Sequence, residues 1–120
     1  EGIVMAITLK NVEKWEIKKN AKKLIRALSV DSIEIRTRAT RALSAIDDPE
    51  IINYLIQQLR DENPEIRLAS VETLGAIGSG RAMEFVRAII ERDTDAKVVD
   101  AAKISLAQIR EKVKEQEITA

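Results

Sequence analysis

Apolar residues return along this chain at helical spacing. Ile51, Ile52, Leu55, Ile56 and Leu59 form one series, and Ile66, Ser70, Val71, Leu74 and Ile77 form the next. Each traces a stripe about 100° wide on a helix surface, a face that a neighbouring element must cover. The breaks between stripes are chemically marked. Asp47-Asp48-Pro49 supplies a capping side chain followed by a first-turn proline, and Asn63-Pro64-Glu65 repeats that device. Gly78-Ser79-Gly80 ends one helix and opens another. The pattern predicts first helices near 20–29, 49–60 and 80–91, and second helices near 33–46, 64–77 and 96–113. Val12, Ile17, Ala21, Leu24, Ile25 and Leu28 nearly sustain a single stripe, so residues 9–29 read as one helix or as two broken at Asn20.

The helix pairs repeat. A shift of 31 lays Glu34-Ile35-Arg36 on Glu65-Ile66-Arg67, Leu43 on Leu74, Ala45 on Ala76 and Ile46 on Ile77. A further shift of 32 lays Ile66 on Val98, Leu74 on Leu106 and Ile77 on Ile109, with the extra residue falling in the polar stretch Arg92-Asp93-Thr94-Asp95. A two-helix unit cannot bury its own apolar face, so units must stack. The expected architecture is all-α, a short α-solenoid of about three antiparallel helix pairs in one domain of 120 residues. Residues 20–47, 48–78 and 79–110 would be the repeats, residues 1–19 an N-terminal cap, and the polar residues 111–120 a C-terminal cap.

Composition changes this picture by exclusion. Trp15, Tyr54 and Phe85 are the only aromatics, so the core must be built from Leu, Ile, Val and Ala. Twenty basic and twenty acidic side chains balance, which argues against a whole-domain grip on nucleic acid. The balance is local only in part: residues 1–60 carry a net +3 and residues 61–120 a net −3. There is no cysteine and no histidine, so a disulfide framework and thiolate chemistry are excluded, and a reducing, cytoplasmic setting is the simplest fit. No stretch approaches the roughly 18 apolar residues of a membrane span. The chain opens Glu1-Gly2, which makes Met5 a candidate natural start. The apolar segment Ile3, Val4, Met5, Ile7 either packs on the first helix pair or pairs two copies; intramolecular packing and a monomer are the expectation.

The stretch from Asn63 to Gly78, NPEIRLASVETLGAIG, resembles the second helix of a HEAT repeat of the short type first noted in phycobilisome-lyase proteins. Asp61 and Arg67 match that family's paired Asp and Arg, six apart, which in the family tie neighbouring turns and helices together. The first unit keeps Arg36 but has Val30 at the Asp position, and the third has Val99 at the Arg position, so the resemblance implies a ladder interrupted at both ends. It also implies a right-handed superhelix, with first helices on the convex side and second helices lining the concave side, and a scaffold role.

An enzyme is not expected. Metal sites of the zinc or iron kind favour His and Cys, and general acid–base work most often uses His, so their absence removes most such mechanisms. Asp47-Asp48 and Asp93/Asp95 read as helix caps rather than as ligand pairs. Gly75, Gly78 and Gly80 lack phosphate-loop spacing and read as helix-end glycines. No metal and no cofactor is expected.

Two surfaces remain as candidates. On a continuous helix, Lys14, Lys18, Lys22 and Arg26, flanked by Lys19 and Lys23, would form a basic ridge opposite the stripe Ile17, Ala21, Leu24, Leu28. It reads either as a solvated outer face or, as the alternative function, as a track for a nucleic-acid backbone. The second surface is the concave one and points to a protein partner. Register with the family pattern turns Ile35, Ala39, Ala42, Leu43 and Ile46 inward and leaves Thr37, Arg38, Arg41 and Ala45 facing out. The equivalent positions are Leu68, Ala69, Glu72 and Ala76, then Asp100, Ala101, Ile104 and Gln108. Mixed charge around Leu68 and Ile104 suits a protein interface, while Arg41 and Glu72 alone could be a salt bridge between repeats.

Overall fold

Helix follows helix through the computed structural model, which describes residues 6–119: α1 (Leu9–Ile17), α2 (Ala21–Ala27), α3 (Ile33–Ala42), α4 (Pro49–Gln58), α5 (Pro64–Ile77), α6 (Met83–Arg92) and α7 (Ala96–Thr119). Short 3₁₀ turns extend α3 and precede α6. Ile3, Val4 and Met5 lie outside the described residues, and Ile7 packs half-buried on the core.

Local chemistry starts each helix where the sequence marks it. Ser32, Asp48 and Asn63 accept backbone N–H bonds in the first turns of α3, α4 and α5, and Pro49 and Pro64 follow two of these caps. Thr8 and Asn11 form a reciprocal capping box on α1. The break expected at Asn20 is present: Lys19 turns the chain at φ +53° and Asn20 caps α2 by accepting from the Lys23 N–H. Gly78 ends α5 in the left-handed conformation, φ +75°.

The helices form two rows. In one, α1, α3, α5 and α7 pack in succession; in the other, α2, α4 and α6 each pack on a member of the first row. The N-terminal cap helix therefore occupies a second-helix position ahead of the first pair. Leu24, Leu43, Ile51, Leu55, Ile66, Leu74 and Ile109 are fully buried between the rows. Aliphatic side chains fill this core, with Trp15 packed half-buried against it and Tyr54 and Phe85 exposed.

Four sequence expectations change. Ile17, read as part of the apolar stripe, is 82% exposed, because the turn at Lys18-Lys19-Asn20 gives α2 a new direction and ends that stripe. Ala69, read as facing out, is fully buried: α5 has a neighbour on both sides, so its covered arc is wider than that of an end helix. Gly75 is not a helix-end glycine. It lies inside α5, where a Cβ would stand 2.7 Å from Ser105 Oγ and 2.8 Å from Ser105 Cα, so its missing side chain lets α5 and α7 touch. Residues 111–119 do not form a separate cap; they continue α7 as one helix of 24 residues.

A candidate protein-docking face on the second helices

The interior of the stack is tied by a polar ladder. Arg36 Nη2 donates to Asp61 Oδ2 at 2.7 Å, from the first pair to the second. Arg67 repeats the link from the second pair to the third, with Nε and Nη2 donating to the two Asp93 carboxylate oxygens at 2.8 and 3.1 Å. Its Nη1 donates to the carbonyls of Asp61 and Glu62, so one guanidinium braces the loop of its own unit and the next. Each aspartate also accepts the N–H two residues on, from Asn63 and Asp95. Asp93 is thus a rung of the ladder, where the sequence suggested a cap; Asp95 is the side chain that caps α7. The missed signal is register: Asp93 lies 32 after Asp61, the same shift that superposes Val98 on Ile66.

Burial raises the carboxyl pKa values of Asp61 and Asp93, and the bonds they accept outweigh it. The Asn63 N–H and the Arg36 guanidinium hold Asp61 below its ordinary value. Arg67 and the Asp95 N–H do the same for Asp93. The Asp93 hydrogen bond in turn raises Arg67. Val30 and Val99 fall where a rung would need a partner outside these three pairs, because both ladder arginines, Arg36 and Arg67, reach forward to the next unit.

A second polar cluster lies deeper. Gln58 Nε2 donates to Thr40 Oγ1 at 2.9 Å and Ser70 Oγ at 3.0 Å, and those hydroxyls donate to the carbonyls of Arg36 and Ile66. It joins α3, α4 and α5 at one point in the core.

Above this framework, the outward side of α3, α5 and α7 forms two adjoining grooves. One, of about 430 Å³, is lined by Thr37, Arg41, Leu68, Pro64, Glu65, Asp95, Lys97 and Val98. The other, of about 270 Å³, is lined by Leu68, Glu72, Ile104, Gln108, Lys97, Ala101 and Ser105. Leu68 and Lys97 belong to both. Of the twelve outward positions read from the sequence, seven come together here: Thr37, Arg41, Leu68, Glu72, Ala101, Ile104 and Gln108. Asp100 is exposed on α7. Arg38 is half-buried and paired with Glu16 of α1, a partner that only the packing of the cap helix provides. Arg41 and Glu72 pair at 2.7 Å, both about half exposed. Lys97 was not singled out by the sequence, although Lys97, Ala101, Ile104 and Gln108 share one helix face by spacing.

The basic residues are arranged differently from the straight ridge that the sequence suggested. Lys14 lies on α1, Lys18 and Lys19 in the turn, and Lys22, Lys23 and Arg26 on α2, so no single helix carries the row. Lys23 Nζ sits 5.7 Å from the centre of the Trp15 ring, a cation–π contact that joins α2 to α1. Among the described residues no group of three or more His, Cys, Asp or Glu is placed to hold a metal, and no helix is long and apolar enough to cross a membrane.

Paired helices stacked in two rows and linked by a forward Arg–Asp ladder define a helical-repeat protein. A family model for HEAT repeats matches residues 21–107, and the chain belongs to the HEAT-repeat family. It is also 40% identical over 62 residues to "Uncharacterized phycocyanin operon protein Z" of Pseudanabaena tenuis (strain PCC 7409). That alignment takes in 52% of this chain and 30% of the relative's length.

Proposed function

We propose that this protein is a non-catalytic, cytoplasmic scaffold that docks a protein partner on the exposed face of α3, α5 and α7. The observation that carries the reading is the shared position of Leu68, which lines both grooves, beside Ile104, 63% exposed on the neighbouring helix. Apolar centres ringed by charges of both signs match the anatomy of protein interfaces, and a polyanion would gain nothing from them. HEAT repeats generally serve protein–protein interaction, which supports the same reading. We read residues 20–47, 48–78 and 79–110 as the repeats and assign them to the short phycobilisome-lyase-like type. The relative's name makes phycocyanin, and the proteins encoded with it, the first partners to try.

The test replaces Leu68 and Ile104 together by Ser and, separately, Arg41 by Glu, leaving Arg38 on Glu16, then compares melting and partner capture. An exposed ion pair such as Arg41–Glu72 is worth only about 0–1 kcal/mol, so melting should barely move when Arg41 alone is changed to Ala. Docking on this face requires capture to be lost in both interface variants while each stays folded. Intact capture would place the partner elsewhere. Salt-sensitive duplex DNA binding, abolished by changing Lys18, Lys22 and Arg26 to Glu, would instead support the nucleic-acid alternative.

A further inference from the structure

The first-helix row has its own unexplained feature. Tyr54 on α4 and Phe85 on α6 are 31 residues apart and occupy the same register position in successive units. Both remain in solvent, 39% and 43% exposed, in a chain with only three aromatics. Their surroundings differ. Tyr54 keeps a phenol hydroxyl among Glu50, Asn53 and Gln57, a polar setting that needs no partner. Phe85 has no polar tip and stands over a groove of about 260 Å³ between α4 and α6, floored by Ile56, Leu59, Ala88 and Ile89.

The charge around that groove is one-sided. Arg60 and Arg92 line it from the ends of α4 and α6, both exposed and neither in an ion pair among the described residues. The carboxylate that also lines it, Asp93, is 3% exposed in its side chain and already held by Arg67 at 2.8 Å. The groove therefore presents an apolar floor, an aromatic ledge and two free guanidiniums. Helix dipoles account for arginines at these helix ends. They do not account for Phe85 or for the apolar floor between the arginines.

We propose that the groove between α4 and α6 binds an acidic amphipathic segment of a partner protein, with an apolar side chain against Phe85 and carboxylates on Arg60 and Arg92. Arginine suits this role because its planar fork meets a carboxylate with two hydrogen bonds. A short helix laid in a groove gains most of its affinity from one or two apolar anchors, and the flanking charges select it. The surface lies on the opposite row from the Leu68–Ile104 face, so the chain would carry two separate docking sites.

The test uses the full chain labelled with ¹⁵N and two synthetic helical peptides with the same leucine spacing, one flanked by glutamates and one by lysines. The glutamate peptide should shift the amides of Ile56, Phe85 and Ile89 saturably. Phe85→Ser should weaken it at least tenfold, equivalent to about 1.4 kcal/mol, with unchanged melting. The surface variant Arg60→Glu/Arg92→Glu, which leaves the apolar floor in place, should transfer the preference to the lysine peptide. Equal binding of both peptides, no saturable shift, or shifts confined to the Leu68–Ile104 face would overturn the proposal. So would concentration-dependent shifts of the same amides without any peptide, since a second copy could then occupy the groove with its exposed Ile118 and the adjacent Glu115 and Glu117.

Discussion

Arg67 and Asp93 meet through two hydrogen bonds across 26 positions of sequence, with the aspartate side chain only 3% exposed. The Arg36–Asp61 rung has one hydrogen bond and both partners about a fifth exposed. The same residue pair is thus built to two depths in one chain.

The deeper rung should dominate stability. Removing one member of a buried ion pair leaves a charge without compensation, at roughly 3–5 kcal/mol. Asp93→Ala should cost about 3 kcal/mol and lower the melting midpoint by roughly 10 °C. Asp61→Ala should cost less because water reaches that rung. Urea unfolding of the two variants checks the order, and equal losses would contradict it.

Acid should find the same rungs. Asp61 and Asp93 both have folded-state pKa values below the ordinary 3.8, so each stabilises the fold fully above its unfolded value. That contribution is lost as pH falls through the folded values. Unfolding free energy should hold level from about pH 8 to 5, where no histidine titrates, and drop below about pH 4. Asp93→Asn should flatten the acid limb.

Gly75 sets two effects against each other. Alanine is favoured over glycine in a helix interior by about 1 kcal/mol. A Cβ here, however, would stand 2.8 Å from the Ser105 backbone, and overpacking costs typically about 1–3 kcal/mol. Ser105 also donates to the Val71 carbonyl at 2.7 Å, which holds α7 in place. Gly75→Ala should therefore destabilise, as thermal melting would show. A stabilised variant would mean that the two helices can part freely.

Lys19 pays a conformational cost at the α1–α2 turn. In a left-handed backbone the Cβ of any residue but glycine crowds the following carbonyl oxygen, at about 1–2 kcal/mol, part of which glycine's greater unfolded freedom would offset on substitution. Lys19→Gly should raise stability by roughly 0.5–1 kcal/mol in denaturant unfolding. A loss would show that the lysine side chain makes a compensating contact.

The helices, their caps and the repeat length were legible because each rests on neighbours in sequence. Asp48, Pro49, Asn63 and Pro64 carry their own instructions, and Asn20 announces the break between α1 and α2. What stayed hidden depends on where a second element lies. Ala69 looks exposed on an isolated helix and is covered once α5 has two neighbours. Arg38 looks free until α1 brings Glu16 beside it. Asp93 resembled a cap because Asp95, two residues on, is one, and only the one-residue change of register restores it to the ladder. Repeat register did place Thr37, Arg41, Leu68, Glu72, Ile104 and Gln108 on one side of their helices. It did not fix their pairing, since Arg41 and Glu72 come from different units.

The forward reach of the ladder makes the middle unit self-matching, since it alone carries both an aspartate for the unit before it and an arginine for the unit after it. Arg36 holds Asp61, and Arg67 holds Asp93, with the same side chains at the same register. Excision of residues 48–78 as a block would bring Arg36 to the loop that carries Asp93, joining the outer pairs through a like rung. Growth by duplication would likewise insert one new arginine and one new aspartate together. The ladder therefore lets the number of middle units change without calling for a new kind of rung, while contacts such as Gly75 against Ser105 stay particular to one joint.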